Sequence, residues 1–178
     1  MISTYVSADL RQRVRRRAKH RREYCLLAEQ DAFFTHEPDH IIAEKHGGAT
    51  TAENLALSCF DCNRFKGSDI ASLDPTTGSL VRLFNPRVDG WGDHFQIEGG
   101  KICGLTAVGR ATERLLKLNL PARVEIRATL TRAGRAALCP RSRNTDAFSS
   151  RRAPSRRSYP PSGHCHLFWR WTCSKPAS

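Results

Sequence analysis

Five residues between positions 39 and 66 have side chains suited to metal-assisted hydrolysis: Asp39, His40, Asn54, Asn63 and Lys66. The carboxylate of Asp39 and the amide oxygen of Asn63 are hard oxygen ligands of the kind that Mg²⁺ prefers. His40 is neutral near pH 7 and can take a proton from water. We therefore predict a metal-assisted hydrolytic site, with Asp39 and Asn63 on a divalent cation and His40 as the general base.

The surrounding residues predict a strand, a polar Gly-rich loop, a second strand and a short helix. Asp39 and His40 precede a β-branched pair, and the second strand follows Asn54 directly. Ser58 and Asp61 have the spacing of a helix start, in which a Ser hydroxyl accepts from a backbone N–H. Gly67 is placed to end that helix after about two turns.

These elements must turn several side chains toward one place. In a regular strand Asp39 and His40 point to opposite faces, so the backbone beside them must be twisted and held. Asn54 has both a donor and an acceptor with which to pin the loop to the backbone. On the helix, Asn63 and Lys66 are three residues apart and share a face, which would let Lys66 reach a phosphate beside the metal.

The segments D-H-I-I, E-N-L-A-L and C-x-x-C-N-R-x-K-G, within residues 38–67 of 178, resemble the HNH endonuclease family in its variant with Asn at the last motif position. The resemblance implies a ββα-metal core with one Mg²⁺-type ion on Asp39 and Asn63. It gives His40 the role of general base and Asn54 that of loop fastener. DNA is the expected partner. The expected phosphate contacts are Lys45, Arg64 and Lys66, which would position a duplex without reading its sequence.

Family members commonly hold a structural zinc with two C-x-x-C pairs, and here the first of those positions is Arg22. Three thiols remain: Cys25, Cys59 and Cys62. A structural zinc site takes four ligands, so zinc is expected only with an incomplete set. His20 lies at the wrong spacing to complete it. The alternative is that the three thiols pack as small apolar groups.

Composition is compatible with a nucleic-acid partner. The chain has a formal net charge of +12, which suits a polyanion. Residues 136–178 carry eight of the 29 basic residues and one of the 17 acidic ones, so part of this charge belongs to the tail rather than to a binding face. The absence of a long apolar run predicts neither a signal peptide nor a membrane span. Seven cysteines with one C-x-x-C suit reduced thiols in the cytoplasm.

A basic helix is expected over residues 8–22, with Ser7 as its N-cap. Leu10, Val14 and Ala18 lie on one stripe at helical spacing, and arginines cover most of the remaining surface. Two interpretations stay open. The stripe packs on the core and the arginines are simply solvated, or the helix lies along a phosphate backbone.

Beyond Gly67, turn residues at 74–78 and 98–100 separate predicted strands at 79–84, 91–97 and 101–105. Thr106 is expected to cap a helix over residues 107–118, and Pro121 to begin another that ends before Gly134. Arg87, Trp91 and His94 could line a nucleic-acid groove. Alternatively, this extension only braces the core.

The expected fold class is thus α+β, with an HNH core and basic helix at 1–70, a hairpin-and-helix extension at 71–135 and a disordered basic tail at 136–178. The tail is rich in Ser, Arg and Pro, and a frameshift is a further hypothesis for it. The expected function is metal-dependent DNA hydrolysis, by a monomer or a homodimer. The alternative is a non-catalytic, basic nucleic-acid-binding module of the same fold.

Overall fold

The structure is a computed structural model, and it describes residues 5–31 and 36–135. Its first element is helix α1, Ala8–Arg17. The predicted N-cap is confirmed, since Ser7 Oγ accepts from the backbone N–H of Leu10 at 3.3 Å. The predicted end near residue 22 is wrong. Lys19 and His20 adopt φ angles of 51° and 55°, a left-handed conformation that ends an α-helix. The chain then folds back on itself, and Arg21 forms a β-bridge with Ala28.

The apolar stripe of α1 packs on the core, as one of the two interpretations predicted. Val14 is buried in a cluster with Val6, Leu55 and Leu57, and Leu10 and Ala18 lie at its edge. Two of the arginines of α1 have structural partners. Arg15 donates to the carbonyl of His36 at 3.1 Å, and Arg17 donates to that of Leu55 at 2.6 Å. Part of the basic face is therefore committed to holding α1 in place.

Two antiparallel strands and a short helix follow. Strand β1, Glu37–His40, pairs with β2, Leu55–Ser58, so that Asp39 lies opposite Ala56 and His40 opposite Leu55. Helix α2 covers Phe60–Lys66 and ends at Gly67 as predicted. Its predicted Ser58 cap is wrong. Cys59 is the N-cap, and its Sγ accepts from the backbone N–H of Cys62 at 3.3 Å.

The extension adds two more antiparallel pairs and three helices. Strands β3, Ala71–Leu73, and β4, Leu80–Arg82, flank the predicted turn at 74–78, and β5, Phe95–Glu98, pairs with β6, Lys101–Gly104. The helices are α3, Trp91–His94; α4, Ala107–Leu115, which is capped by Thr106; and α5, Pro121–Arg132. Short 3₁₀ helices cover Glu29–Asp31, Glu44–His46 and Ala52–Asn54. The described part of the fold is α+β, as predicted.

The predicted strand at 91–97 is wrong in its first half, because Trp91–His94 forms a helical turn. This turn lets the Trp91 indole enter the core, where its Nε1 donates to the carbonyl of Tyr24 at 3.0 Å. His94 bonds Thr106 Oγ1 at 2.6 Å through its Nδ1, and Arg87 forms an ion pair with Glu23. The three residues considered for a nucleic-acid groove thus hold the extension together and attach it to the residues before β1.

One hydrophobic core joins the two halves of the described chain. The residues before 71 supply Tyr24, Cys25, Ile41, Ala56, Cys59 and Cys62, among others, and the extension supplies Phe84, Trp91, Phe95, Ile102, Leu116 and Leu118. Within residues 5–31 and 36–135, no helix is both long and apolar enough to cross a membrane. The predicted disordered or frameshifted tail after residue 135 lies outside the described residues.

Candidate active site

The Asp39 carboxylate lies at the meeting point of β1 and α2. Lys66, on the last turn of α2, is 2% exposed, and its Nζ lies 3.4 Å from Asp39 Oδ2. The same Nζ donates to the carbonyl of His40 at 2.6 Å and to that of Gly67 at 3.2 Å. Lys66 thus lies beside the predicted metal ligand, as the sequence indicated, but its ammonium group is engaged by the protein itself.

The environment of Asp39 is one that a cation would stabilise. Burial raises the pKa of Asp39 above its ordinary value, and the Lys66 ammonium offsets part of that effect. Oδ2 is buried and has no hydrogen-bond partner among the described residues, because its ion pair with Lys66 lacks hydrogen-bond geometry. A buried carboxylate oxygen without a hydrogen bond is a fitting ligand for a divalent cation.

His40 is oriented by two side chains from the loop between the strands. Its Nε2 lies 3.0 Å from Thr50 Oγ1, and Thr50 Oγ1 donates to Glu44 Oε1 at 3.3 Å. Because the Thr50 hydroxyl gives its proton to Glu44, it accepts at its oxygen from His40. This network assigns the proton of neutral His40 to Nε2 and leaves the lone pair on Nδ1.

The loop is fastened by Asn54, through the type of hydrogen bonds that the sequence indicated. Its Oδ1 accepts from the backbone N–H of Ile42 at 3.0 Å, and its Nδ2 donates to the carbonyls of Ile42 at 2.8 Å and Ala49 at 3.0 Å. Gly48 is needed for this close approach, since a Cβ there would lie 1.8 Å from the Ile42 carbonyl oxygen. The residues after His40 are thereby tied to the start of β2.

The other predicted site residues lie on α2 and in the loop. Asn63 is half-buried on α2, and its side chain forms no hydrogen bond among the described residues. Arg64 and Lys45 are exposed, on α2 and on the 3₁₀ turn Glu44–His46 respectively. His46, on the same turn, is also exposed, whereas His36 is fully buried away from this loop. The structure thus places Lys66 against the Asp39 carboxylate and the His40 backbone carbonyl, with Asn54 holding the loop that follows His40.

A second cluster lies beneath α2, where Cys25, Cys59 and Cys62 are all buried. Their sulfur atoms lie within 4.8 Å of one another, a spacing at which three thiols could hold a metal such as zinc. The neighbouring position is taken by a residue of α5. Arg123 Nη2 lies 2.8 Å from Cys62 Sγ and 3.8 Å from Cys59 Sγ. The spacing of the three thiols fits a zinc ion, but their number is one short of the usual four ligands. In addition, the Arg123 guanidinium already lies against two of them.

Neither of the residues near the expected fourth ligand position completes the set. Arg22 is buried, and its Nε donates to His36 Nε2 at 3.0 Å. Burial and the Arg22 charge lower the pKa of His36, which keeps this ring neutral. His20 lies at the surface and pairs with Glu29 at 3.2 Å. A fourth protein ligand for zinc is therefore absent among the described residues around the three thiols.

One comparison with known proteins found a match, and it covers the segment that holds this site. Residues 23–69 match the family model described as HNH endonuclease. The segment that contains β1, β2 and α2 is therefore an HNH domain, as the motif indicated. Comparisons with curated proteins and with solved structures found no significant match. An HNH domain implies a nuclease or another nucleic-acid-related function.

Sequence reasoning missed three residues of these two clusters: Glu44, Thr50 and Arg123. Glu44 and Thr50 belong to a polar loop in which many side chains could contact His40, so the sequence alone did not select them. Arg123 had a weak signal. It shares a helical stripe with Ile126 and Leu130 of α5, both of which pack against the core.

Proposed function

We propose that this protein is a metal-dependent HNH endonuclease that hydrolyses DNA phosphodiester bonds. The observation that carries the proposal is a buried carboxylate oxygen without a hydrogen bond, on Asp39, next in sequence to an imidazole that Thr50 orients, on His40. Both lie on β1 within a segment that matches the HNH family. Such a pair suits hydrolysis by an activated water.

His40 would act as the general base through Nδ1. Its Nε2–H is held by Thr50, so the lone pair of Nδ1 is the one available to take a proton from water. As that proton arrives, the ring becomes cationic, and the Glu44 carboxylate at the end of the hydrogen-bond chain stabilises the charge. Asn54 keeps the loop, and with it Thr50, in register with His40.

Asp39 and Asn63 would hold the divalent cation, with Mg²⁺ the expected ion. When bound, this cation would polarise a non-bridging phosphate oxygen and stabilise the leaving oxygen. Asp39 must be ionised to bind it, and its raised pKa means that binding weakens as the pH falls toward that pKa. Lys66 adds positive charge beside the carboxylate, and the exposed Arg64 and Lys45 would contact flanking phosphates.

The test is nicking of supercoiled plasmid by purified protein with Mg²⁺ or Mn²⁺, and with EDTA. We expect metal-dependent nicking that falls by about 10²–10⁴-fold in His40→Ala, the range for loss of a general base. His20→Ala is the matched control, because His20 is a surface histidine paired with Glu29 and away from the loop. Equal nicking by wild type and His40→Ala would refute the assignment of the base.

A second candidate function is a basic nucleic-acid-binding module that does not cut. It is favoured by one observation: the Lys66 ammonium already lies 3.4 Å from Asp39, where a metal would otherwise bind. Mn²⁺ binding distinguishes the two candidate functions. It is measured by the decrease of the electron paramagnetic resonance signal of free Mn²⁺. A nuclease should bind Mn²⁺ at a site lost in Asp39→Asn, whereas a binding module should retain DNA in a gel shift and bind no ion there.

A further inference from the structure

Outside the candidate active site, the buried guanidinium of Arg123 lies against the cysteine cluster. This side chain is 5% exposed, although it carries a permanent charge. It comes from α5, far along the chain from the HNH motif, and reaches two sulfur atoms of that motif. A buried charge requires compensating partners, and those partners identify what the group does.

One side of the guanidinium contacts the end of a helix. Nη1 donates to the carbonyls of Leu116 at 3.0 Å and Lys117 at 3.2 Å, directly after the last turn of α4. Carbonyl groups at a helix C-terminus have no partner within the helix and carry partial negative charge. They therefore fix the guanidinium but supply only part of a counter-charge.

The other side contacts sulfur. Nη2 lies 2.8 Å from Cys62 Sγ and 3.8 Å from Cys59 Sγ, and Cys25 completes the trio within 4.8 Å. Among the described residues, no carboxylate forms a salt bridge with Arg123. On this side the guanidinium therefore contacts only sulfur atoms among the described residues. A zinc ion bound to these thiols would lie about 2.3 Å from each sulfur, and so in close contact with a second buried cation.

We propose that Arg123 takes the place of the structural zinc ion, so that the cysteine cluster is a metal-free centre closed by a guanidinium. The cluster then does what a structural metal does, because it ties β2 and α2 to a distant segment. The segment tied is α5 together with the end of α4. Arg22 at the expected cysteine position follows from this arrangement, since a centre closed by Arg123 has no need of a fourth thiol.

The first measurement is zinc content and chelator sensitivity of the full chain. Cys139→Ser/Cys165→Ser/Cys173→Ser serves as the background, so that cysteines of the tail do not contribute zinc. We expect substoichiometric zinc by elemental analysis and the same unfolding temperature with and without EDTA. One zinc per chain, with a lower unfolding temperature after its removal, would overturn the proposal without the need for any variant of the cluster.

The second measurement compares two buried arginines of α5. Arg123→Ala should lower the unfolding temperature by about 10 °C, because the buried carbonyl and sulfur atoms that Arg123 contacts lose their hydrogen-bond donor. Arg127→Ala is the matched control, because Arg127 is also buried but donates to the carbonyls of Gly100 and Leu118 at 2.6 and 2.7 Å. Both variants should be destabilised.

The two variants should differ in their response to zinc once Arg22→Cys is added to each. In Arg22→Cys/Arg123→Ala, four thiols face a position without a guanidinium, so added zinc should raise the unfolding temperature. In Arg22→Cys/Arg127→Ala, Arg123 remains and zinc should have little effect. An equal response of both double variants to zinc would show that Arg123 does not occupy the metal position.

Discussion

At the scale of single residues, the base role proposed for His40 would depend on two side chains of the loop between β1 and β2. Thr50 and Glu44 form a chain of hydrogen bonds that fixes one tautomer of the ring. Thr50 is therefore proposed as a positioning residue. The effect of its hydroxyl group can be tested separately from the effect of its side-chain volume. The loop that supplies Thr50 is in turn shaped by Gly48 and Asn54.

Thr50→Val should reduce the nicking rate by roughly 10- to 100-fold, the range seen when an outer hydrogen-bond partner of a functional histidine is lost. The hydroxyl is removed while the volume is nearly kept, so Nε2–H loses its acceptor. Thr50→Ser should restore most of the rate. The pH profile of nicking should also shift in Thr50→Val, and an unchanged rate and profile would show that Thr50 does not act through His40.

Gly48→Ala should destabilise the fold by about 1–3 kcal/mol, the usual cost of overpacking, and reduce nicking. The added Cβ would meet the Ile42 carbonyl oxygen at 1.8 Å and Asn54 Nδ2 at 2.7 Å, so the fastening bonds must open. Gly47→Asn is the comparison, because a Cβ there has nothing within 4 Å and Asn tolerates its left-handed φ of 83°. Urea unfolding measures both, and equal stability would contradict the argument.

At the scale of elements, the turn between β3 and β4 is fixed to α4 by a buried carboxylate. Both Asp74 oxygens accept from the Arg110 guanidinium at 2.8 Å, and Asp74 also accepts from Thr77 Oγ1 at 2.9 Å. The Arg110 hydrogen bonds hold the pKa of Asp74 well below its ordinary value, and those from Thr77 and Thr76 add to this effect. These hydrogen bonds connect the turn at 74–78 with α4. The sequence predicted both elements but not the contact between them.

Asp74→Asn should lower the unfolding temperature at pH 7 and lower it by less in acid. Because the pKa of Asp74 is lower in the folded than in the unfolded chain, its stabilisation is fully present above the unfolded value of about 3.9 and is lost progressively as the pH falls through the folded value. Thermal unfolding of both proteins from pH 7 to about pH 2 should show the two curves approach each other below about pH 4. Asp9→Asn, an exposed change on α1, should show no such convergence.

At the scale of the whole molecule, the HNH segment and the extension share one core. Trp91 shows this most directly, since its indole is buried and hydrogen-bonded to the Tyr24 carbonyl. Its ring also packs on Phe95, with centroids 5.1 Å apart. The division of the chain near residue 70 stays a prediction from sequence, and the shared core suggests that the two parts fold together.

Trp91→Ala should therefore destabilise the fold by about 3–5 kcal/mol, the usual cost of removing a large buried aromatic side chain. Trp91→Phe keeps most of the apolar contact and loses only the donor to Tyr24, so it should cost about 1–2 kcal/mol. Urea unfolding should remain a single transition in both. A Trp91→Ala protein as stable as wild type would indicate that the extension does not support the HNH segment.

The sequence located the HNH motif and its elements better than it predicted the contacts around them. Asp39, His40, Asn54 and Asn63 lie within one short motif, where local order limits what each side chain can do. The Ser58 cap was wrong because Cys59 offers a sulfur acceptor one residue later, and both positions suit a helix start. Arg123 was missed because its partners lie about sixty residues earlier in the chain, and spacing along a sequence carries no signal for such a contact.

The reach of Arg123 and Trp91 across the chain has a consequence for exchange between proteins. The 47 residues that match the family, 23–69, contain the proposed catalytic groups but lack the guanidinium on their sulfur cluster and the indole that donates to the Tyr24 carbonyl. A transplant of that segment alone into a fusion protein would carry the motif without its support. We expect a portable module to include the stretch from α1 through α5, because recombination within it would separate residues that contact each other.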